Sequence, residues 1–435
     1  MIKYLSKPSF IAIAFLCVLL PKIYFVVLSY NNKLYTTQKA YKSGDASHYL
    51  KIAKNINSFG VYSDNNSVIP IERATWRPPI WPFVLSLGFY ITNNPFGLII
   101  FKSILELILL ILIFSLIKSL KNIKPIHFLF FLVLFIEPYY LKYSTTFLSE
   151  SLTSILVLLL ALTFILFNES KKYSILIPFL SVVTILCHPV SLFFVLTLLI
   201  IYGLTSIKKH PIRIITHAIL VIGLMVLWPL RNQQTFNQGF YLTASQGATF
   251  SKGWNEDVIA KYNNVDGDLA DEALNLKYVK DIEDKSIGRI PLLSLSKMYK
   301  EGTLNYIKKL SVNDVLLTAF IKLKSNFNPF PEKPKRGTLE SLAIVFRILY
   351  VVLFLQCLFR IFRYRGLNVK SEKDKVYYVV LSILIGQIFM SVYIYTGLRF
   401  NAIYSLTLLF SFIYVNKDLL LTWVERFTKN SKVIS

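Results

Sequence analysis

The chain has 435 residues, 54% of them hydrophobic and 15% aromatic, with 17% charged and a formal net charge of +24. A mean hydropathy of +0.53 is too apolar for a water-soluble protein of this length and places the chain in a bilayer. The basic excess does not point to nucleic acid, because Lys and Arg are dispersed between apolar runs with no compact basic domain to hold a duplex.

Apolar runs near 20 residues recur along the chain, and at about 1.5 Å per residue each reaches across a hydrocarbon core of roughly 30 Å. Residues 1–20 combine a basic head with an apolar stretch, but no small-residue cleavage site follows and the apolar character continues to Tyr30, so this reads as a retained first span. The expected spans are 10–30, 97–117, 126–143, 148–167, 173–187, 189–205, 213–230, 340–360, 376–396 and 398–416. A span must satisfy its own backbone hydrogen bonds. The fold class expected is therefore all-α, a polytopic helical membrane protein with about ten transmembrane helices and two long extracytoplasmic loops. Cys17, Cys187 and Cys357 lie in or beside apolar runs without paired spacing, which suggests neither a disulfide framework nor a zinc site.

Charge sets the threading. The short connections placed inside hold Lys118, Lys121, Lys124, Lys171, Lys172, Lys208, Lys209, Arg213 and six basic residues from Arg360 to Lys375, against only Lys142 and Arg399 in the short outer ones. That asymmetry follows the positive-inside rule and puts both termini in the cytoplasm of a multi-pass plasma-membrane protein. The same parity keeps the short apolar segment 79–91 from crossing; it is expected at the outer interface. Three regions result: a transmembrane module, 1–230, whose first outer loop is 31–96; a large extracytoplasmic loop, 231–339; and C-terminal helices with a short tail, 340–435. The first loop reads as an amphipathic helix over 46–58 followed by turns, and the second as a Gly-containing start followed by amphipathic helices between Asp268 and Lys324.

The threading delivers Asp45, His48, Glu72, Arg77, Glu137, Lys142, Glu150, His188, Arg231, Asn232 and Arg399 to the outer ends of the spans. Asp45, in Gly44-Asp45-Ala46-Ser47-His48-Tyr49, is either a helix cap or a general base whose pKa is raised by apolar surroundings. Arg77, in Thr75-Trp76-Arg77-Pro78-Pro79, can grip a phosphate while the tryptophans anchor at the interface. Glu150 suits a helix N-terminus by charge alone. His188-Pro189 offers a proton carrier or a packing residue. Lys22, Lys102 and Glu106 fall inside spans, where charge is costly and functional by default, although Lys102 and Glu106 are four apart and can neutralise each other. Phosphate-binding P-loop, dinucleotide, His-Glu-x-x-His and nucleophile-elbow motifs are missing, so nucleotide-driven chemistry is not expected.

The order of these features resembles the GT-C superfamily of membrane glycosyltransferases, in the branch of protein O-mannosyltransferases and the lipid A aminoarabinose transferase. The resemblance rests on Asp45 with Tyr49, on Phe59-Gly60-Val61-Tyr62-Ser63, on Arg77-Pro78-Pro79, on Phe147-Leu148-Ser149-Glu150, on Trp228-Pro229-Leu230-Arg231-Asn232, on Gly247 and Gly253-Trp254-Asn255, and on Arg399-Phe400. It implies inverting transfer of a sugar from a polyprenyl-phosphate donor to a lipid, glycan or protein acceptor outside the cytoplasm. Asp45 would be the general base and Glu150 would orient sugar or acceptor. Arg77, Lys102, Arg231 and Arg399 would hold the donor phosphate, and His48, Tyr49, Tyr62, Glu137, His188 and Asn232 would line the substrate. Two departures stand out: His188-Pro189 replaces a commoner Arg-Pro, and only Asp45 stands where many relatives carry two adjacent acids. The second departure removes an expected ligand for a divalent metal, and no other cofactor is implied. The competing expectations are a transporter or flippase of an anionic lipid-linked sugar, a polysaccharide polymerase, and a scaffold without activity.

Overall fold

The computed structural model describes residues 20, 22–24, 26–27, 44–65, 72–166, 174–255, 258, 291–328, 338–364, 371–394 and 398–430. The described residues are helical, with no strand among them. In chain order the α-helices are α1 Gly44–Phe59, α2 Ile80–Phe89, α3 Pro95–Lys118, α4 His127–Phe131, α5 Pro138–Ser144, α6 Glu150–Leu166, α7 Leu176–Cys187, α8 Leu192–Ser206 and α9 Pro211–Phe236. The remainder are α10 Gln246–Gly253, α11 Leu292–Lys309, α12 Val312–Phe327, α13 Thr338–Tyr364, α14 Glu372–Tyr393 and α15 Leu398–Asn430.

Among the described residues six helices are long and apolar enough to cross a membrane: Pro95–Lys118, Pro189–Ser206, Pro211–Phe236, Ser341–Arg363, Glu372–Tyr393 and Arg399–Arg426. The chain is thus a membrane-embedded helical protein. Ile80–Phe89, His127–Ile136, Glu150–Leu166 and Leu176–Cys187 are apolar but shorter, so the expectation of ten full-length spans is met in part. The first expected span, 10–30, lies mostly outside the described residues, as does Cys17.

The largest departure is the span expected over 126–143. It is broken into α4, a 3-10 turn Leu132–Ile136 and α5, with Glu137 extended at φ −60° and ψ 123° between them. Pro138 lacks an amide hydrogen and disfavours helix at the residue before it, and hydropathy does not register that break. A similar break at His188, extended at φ −149°, separates α7 from the 3-10 turn that leads into α8. The segment expected at the interface, 79–91, is the ten-residue α2, roughly 15 Å long by its rise and too short to cross.

Helix starts follow the sequence. The Asn94 side chain accepts from the Phe96 amide with Pro95 in the first turn, and Ser371 with Asp374 forms a reciprocal capping box on α14, each satisfying otherwise orphaned amides. Every residue of α6 is buried, as a helix apolar on all sides requires. It is enclosed by α15, α7, α5, α3 and α14. On the outside, α9 exposes Ile212, Ile215, Ile219, Ile222 and Leu227, the pattern of a lipid-facing surface. Close approach sets one contact of the core, since a Cβ on Gly386 of α14 would lie 2.8 Å from the Phe194 amide nitrogen of α8.

Candidate functional site

The N-terminus of α6 presents Glu150 at one end of the bundle, and four separate stretches of chain meet it there. Arg399, at the start of α15, donates through Nε to Glu150 Oε1. The same guanidinium sits with a terminal nitrogen 2.9 Å from Asp45 Oδ2, on the first turn of α1. The other Asp45 oxygen accepts from Arg77 at 2.5 Å. His188 closes the row with Nε2 4.0 Å from Glu150 Oε1, while its Nδ1 accepts from the Val190 amide and caps the turn after the break.

Local structure explains the convergence. The turn before Glu150 is pinned by Trp81 Nε1, which donates to the Phe147 carbonyl at 2.7 Å, and by Lys102. Gly60 ends α1 at φ +68°, in the left-handed region that glycine adopts without cost. The chain then returns along α1, where Asn55 donates to the Ser63 carbonyl at 2.9 Å. The Tyr62 hydroxyl donates to the carbonyls of Arg77 and Pro78 at 3.0 and 3.2 Å, which holds the Arg-Pro-Pro stretch beside α1.

The electrostatics reverse one expectation. Burial by itself would raise the Asp45 carboxyl, but Arg77 and then Arg399 outweigh it and hold the carboxyl at about 2, below its ordinary 3.8. Asp45 is therefore an arginine-bound carboxylate rather than a base made stronger by apolar surroundings. Tyr49 packs under the Arg77 guanidinium, 5.5 Å from ring centroid to cation, and its burial pushes the phenol up to about 12. Among the described residues, two buried polar atoms in this group have no hydrogen-bond partner, Glu150 Oε2 and Arg77 Nε.

Arg231 stands nearby in a different setting. Its guanidinium lies 5.5, 5.1 and 5.4 Å from the rings of Tyr62, Trp228 and Phe236, and it donates to Asn232 Oδ1 at 3.1 Å. No carboxylate pairs with it among the described residues. Asn232 in turn donates to the Tyr241 carbonyl. The cage thus joins the end of α9 to the loop that follows and, through Tyr62, to Arg77.

Two expected site residues are placed elsewhere. Lys102 donates to the carbonyls of Tyr143, Thr146 and Leu148 at 2.8, 2.6 and 3.2 Å. An ammonium has three N–H donors, so all are committed to the turn before Glu150 and none is left for a phosphate. Glu137 is fully buried and accepts from the Tyr140 amide, Ser405 and Tyr350. It fastens α5 to α15 and α13 and does not join the arginines. Both residues look polar and misplaced in an apolar sequence, and the fold uses them as internal fasteners.

His48 is not in the arginine row either. Its Nδ1 lies 3.0 Å from Asp64 Oδ2, a partner that sequence reasoning did not single out. The only local signal was position, two residues beyond Tyr62 in a turn that the Gly-Tyr-Ser pattern already marked. Lys322 was also missed. It is fully buried, donates to the Val392 carbonyl at 3.0 Å and lies 4.4 Å from the Trp254 ring, so burial drives its pKa well below the ordinary lysine range.

Among the described residues no group of three or more His, Cys, Asp or Glu is placed to hold a metal ion. The carboxylates of the arginine row, Asp45 and Glu150, are each already bound by guanidinium, a donor set that does not suit a divalent cation. Comparison with family models, with curated proteins and with solved structures gives no match.

Proposed function

We propose that this chain is an inverting glycosyltransferase that moves a sugar from a polyprenyl-phosphate donor to an acceptor at the extracytoplasmic face of the plasma membrane. The observation that carries the reading is the sharing of Asp45 between Arg77 and Arg399, with Arg399 also on Glu150. Guanidinium groups bind carboxylate and phosphate oxygens by the same bidentate geometry. A lipid phosphate entering between these helix ends competes with Asp45 for the two arginines, which then stabilise the charge that develops on the leaving phosphate. Arg231, stacked on three rings and with no carboxylate partner among the described residues, is a further cation for an anionic headgroup. Nucleotide sugars are not expected outside the cytoplasm, so a transferase working there needs a lipid-carried donor.

In this reading Glu150 and His188 orient the sugar or acceptor, and Tyr49 and Tyr62 form the floor on which the arginines rest. Asp45 can act as the general base that the GT-C resemblance implies only when the donor phosphate draws the arginines from it. The transporter alternative has one observation in its favour, the buried charges of Lys22, Glu106 and Lys102, since intramembrane charges often mark transport paths. These groups are mutually satisfied, which favours the transferase.

Asp45→Asn is expected to abolish sugar transfer from labelled polyprenyl-phosphate donors in membranes while the protein is still made and inserted. Undiminished transfer by that variant sinks the reading. The orientation is tested separately: a cysteine placed at the exposed Asn65 reacts with an impermeant reagent on intact cells, and protection of it contradicts an extracytoplasmic site.

A further inference from the structure

His48 lies three residues beyond Asp45 on α1 and so shares its helix face. It forms a pair of its own there. Nδ1 of the imidazole is 3.0 Å from Asp64 Oδ2, and the two side chains differ in exposure, 30% for the histidine and 8% for the aspartate. A nearly buried carboxylate within hydrogen-bond distance of Nδ1 favours the tautomer with its hydrogen on that nitrogen, which places the lone pair on Nε2 of the part-exposed ring. The Asp64 backbone is itself held in place: Gly60 turns the chain, Asn55 holds the Ser63 carbonyl, and Tyr62 is tied to Arg77 and Pro78. The charges that act on Tyr62 include those of Arg77, Arg231 and Asp64, so this acid belongs to the same end of the bundle as the arginine row.

We propose that His48, oriented by Asp64, is the group that takes the proton from the acceptor, in place of Asp45. The inference rests on the transferase reading. An acceptor-side base needs a ring nitrogen open to the acceptor and an orienting partner behind it. His48 has both. Both oxygens of Asp45 are bound by guanidinium until a donor phosphate displaces them, and a carboxyl held at about 2 is a weak base at neutral pH, whereas the His48 pair is independent of the arginines. The division of labour follows: Asp45 arranges the arginines for the phosphate and His48 handles the proton.

The step balances with these groups alone. As the acceptor's oxygen or nitrogen bonds to the anomeric carbon, the bond from that carbon to the phosphate oxygen breaks. Its electron pair leaves with the polyprenyl phosphate, toward Arg77 and Arg399. The acceptor's proton passes to His48 Nε2, the imidazolium is stabilised by the Asp64 carboxylate, and its exposed edge returns the proton to water.

The test uses membranes holding the full chain, supplied with labelled polyprenyl-phosphate hexoses and pentoses, and follows label leaving the lipid phosphate for the acceptor. His48→Ala and His48→Asn are each expected to lower turnover by at least about 100-fold with the donor KM unchanged, and imidazole in the buffer is expected to restore His48→Ala. Asp64→Asn lowers kcat without moving the donor KM, and Asp64→Glu recovers part of it. Full turnover by His48→Asn overturns the proposal, as does a slow His48→Ala that imidazole leaves slow. If the unmodified protein transfers no label from any donor, the transferase reading fails and the role of His48 falls with it; transfer that survives both His48 variants defeats this inference alone.

Discussion

The groups around Glu106 and Glu150 begin on α3 and α6, two helices packed on each other, and both set a buried carboxylate beside basic side chains. At Glu106, Lys22 and Ser151 approach to 2.9 and 2.6 Å, and the Tyr140 hydroxyl joins at 3.2 Å. Lys102 stands 3.7 Å away with its donors on three carbonyls. Both oxygens of Glu106 and the donors of Lys102 are bonded. At Glu150, one residue before Ser151, the cations are arginines, and among the described residues one carboxylate oxygen and the Arg77 Nε have no hydrogen-bond partner. A buried polar network that is fully satisfied acts as structure, whereas valences left open in a buried group call for an explanation such as a ligand. The contrast separates a fastener from a site even though both use the same residue types.

The largest expected effect tests the fastener. Glu106→Leu leaves Lys22 and Lys102 buried without their counter-ion, and breaking such a pair costs about 3–5 kcal/mol. The expected outcome is a severe loss of folded protein, read as yield and melting temperature in detergent; a variant that melts like the parent removes the distinction drawn between the two groups. A smaller effect is expected at the site. Arg399→Lys keeps the charge but cannot span Asp45 and Glu150 with one planar fork. With charge-assisted bonds worth about 1.5–3 kcal/mol, sugar transfer falls by roughly 10- to 100-fold while the melting temperature changes little. A large drop in melting temperature instead makes the site a second fastener.

The smallest effect concerns pH. Asp45 is depressed from 3.8 to about 2, so its contribution to stability is present above pH 3.8 and is lost as the pH falls toward 2. The Asp45→Asn variant is therefore expected to share the parent's stability profile between pH 5 and 8, differing by a constant offset, and to diverge from it only in acid. A difference that varies across the neutral range refutes the arginine-bound state of Asp45.

Much of this was readable from residue order. Long apolar runs gave α3, α8, α13 and α14 to within a few residues, because length and hydropathy decide those helices. The gathering of Asp45, Arg77, Glu150, His188 and Arg399 followed from placing helix ends together by charge. What escaped were the partners. The break before Pro138 is a backbone event inside apolar sequence, whereas the one at His188 falls between the spans expected over 173–187 and 189–205. The choice between phosphate and carbonyl for Lys102 depends on a turn 41 residues away. Asp64 becomes the partner of His48 only because Gly60 reverses the chain, and nothing in the neighbouring residue types sets it apart from any other turn acid. The extension of α15 to Asn430, beyond the 416 expected, follows from a polar end that hydropathy discounts.

One consequence of the arginine row concerns release. Arg77 and Arg399 face Asp45 and Glu150, two cations against two anions, so the charges of the row offset one another. In a transferase, a donor phosphate must displace a resident carboxylate to be held, which limits how tightly the lipid binds. After transfer, the same carboxylate recaptures the arginines as the spent carrier departs. Asp45 would then act as a built-in competitor that keeps the product from becoming an inhibitor.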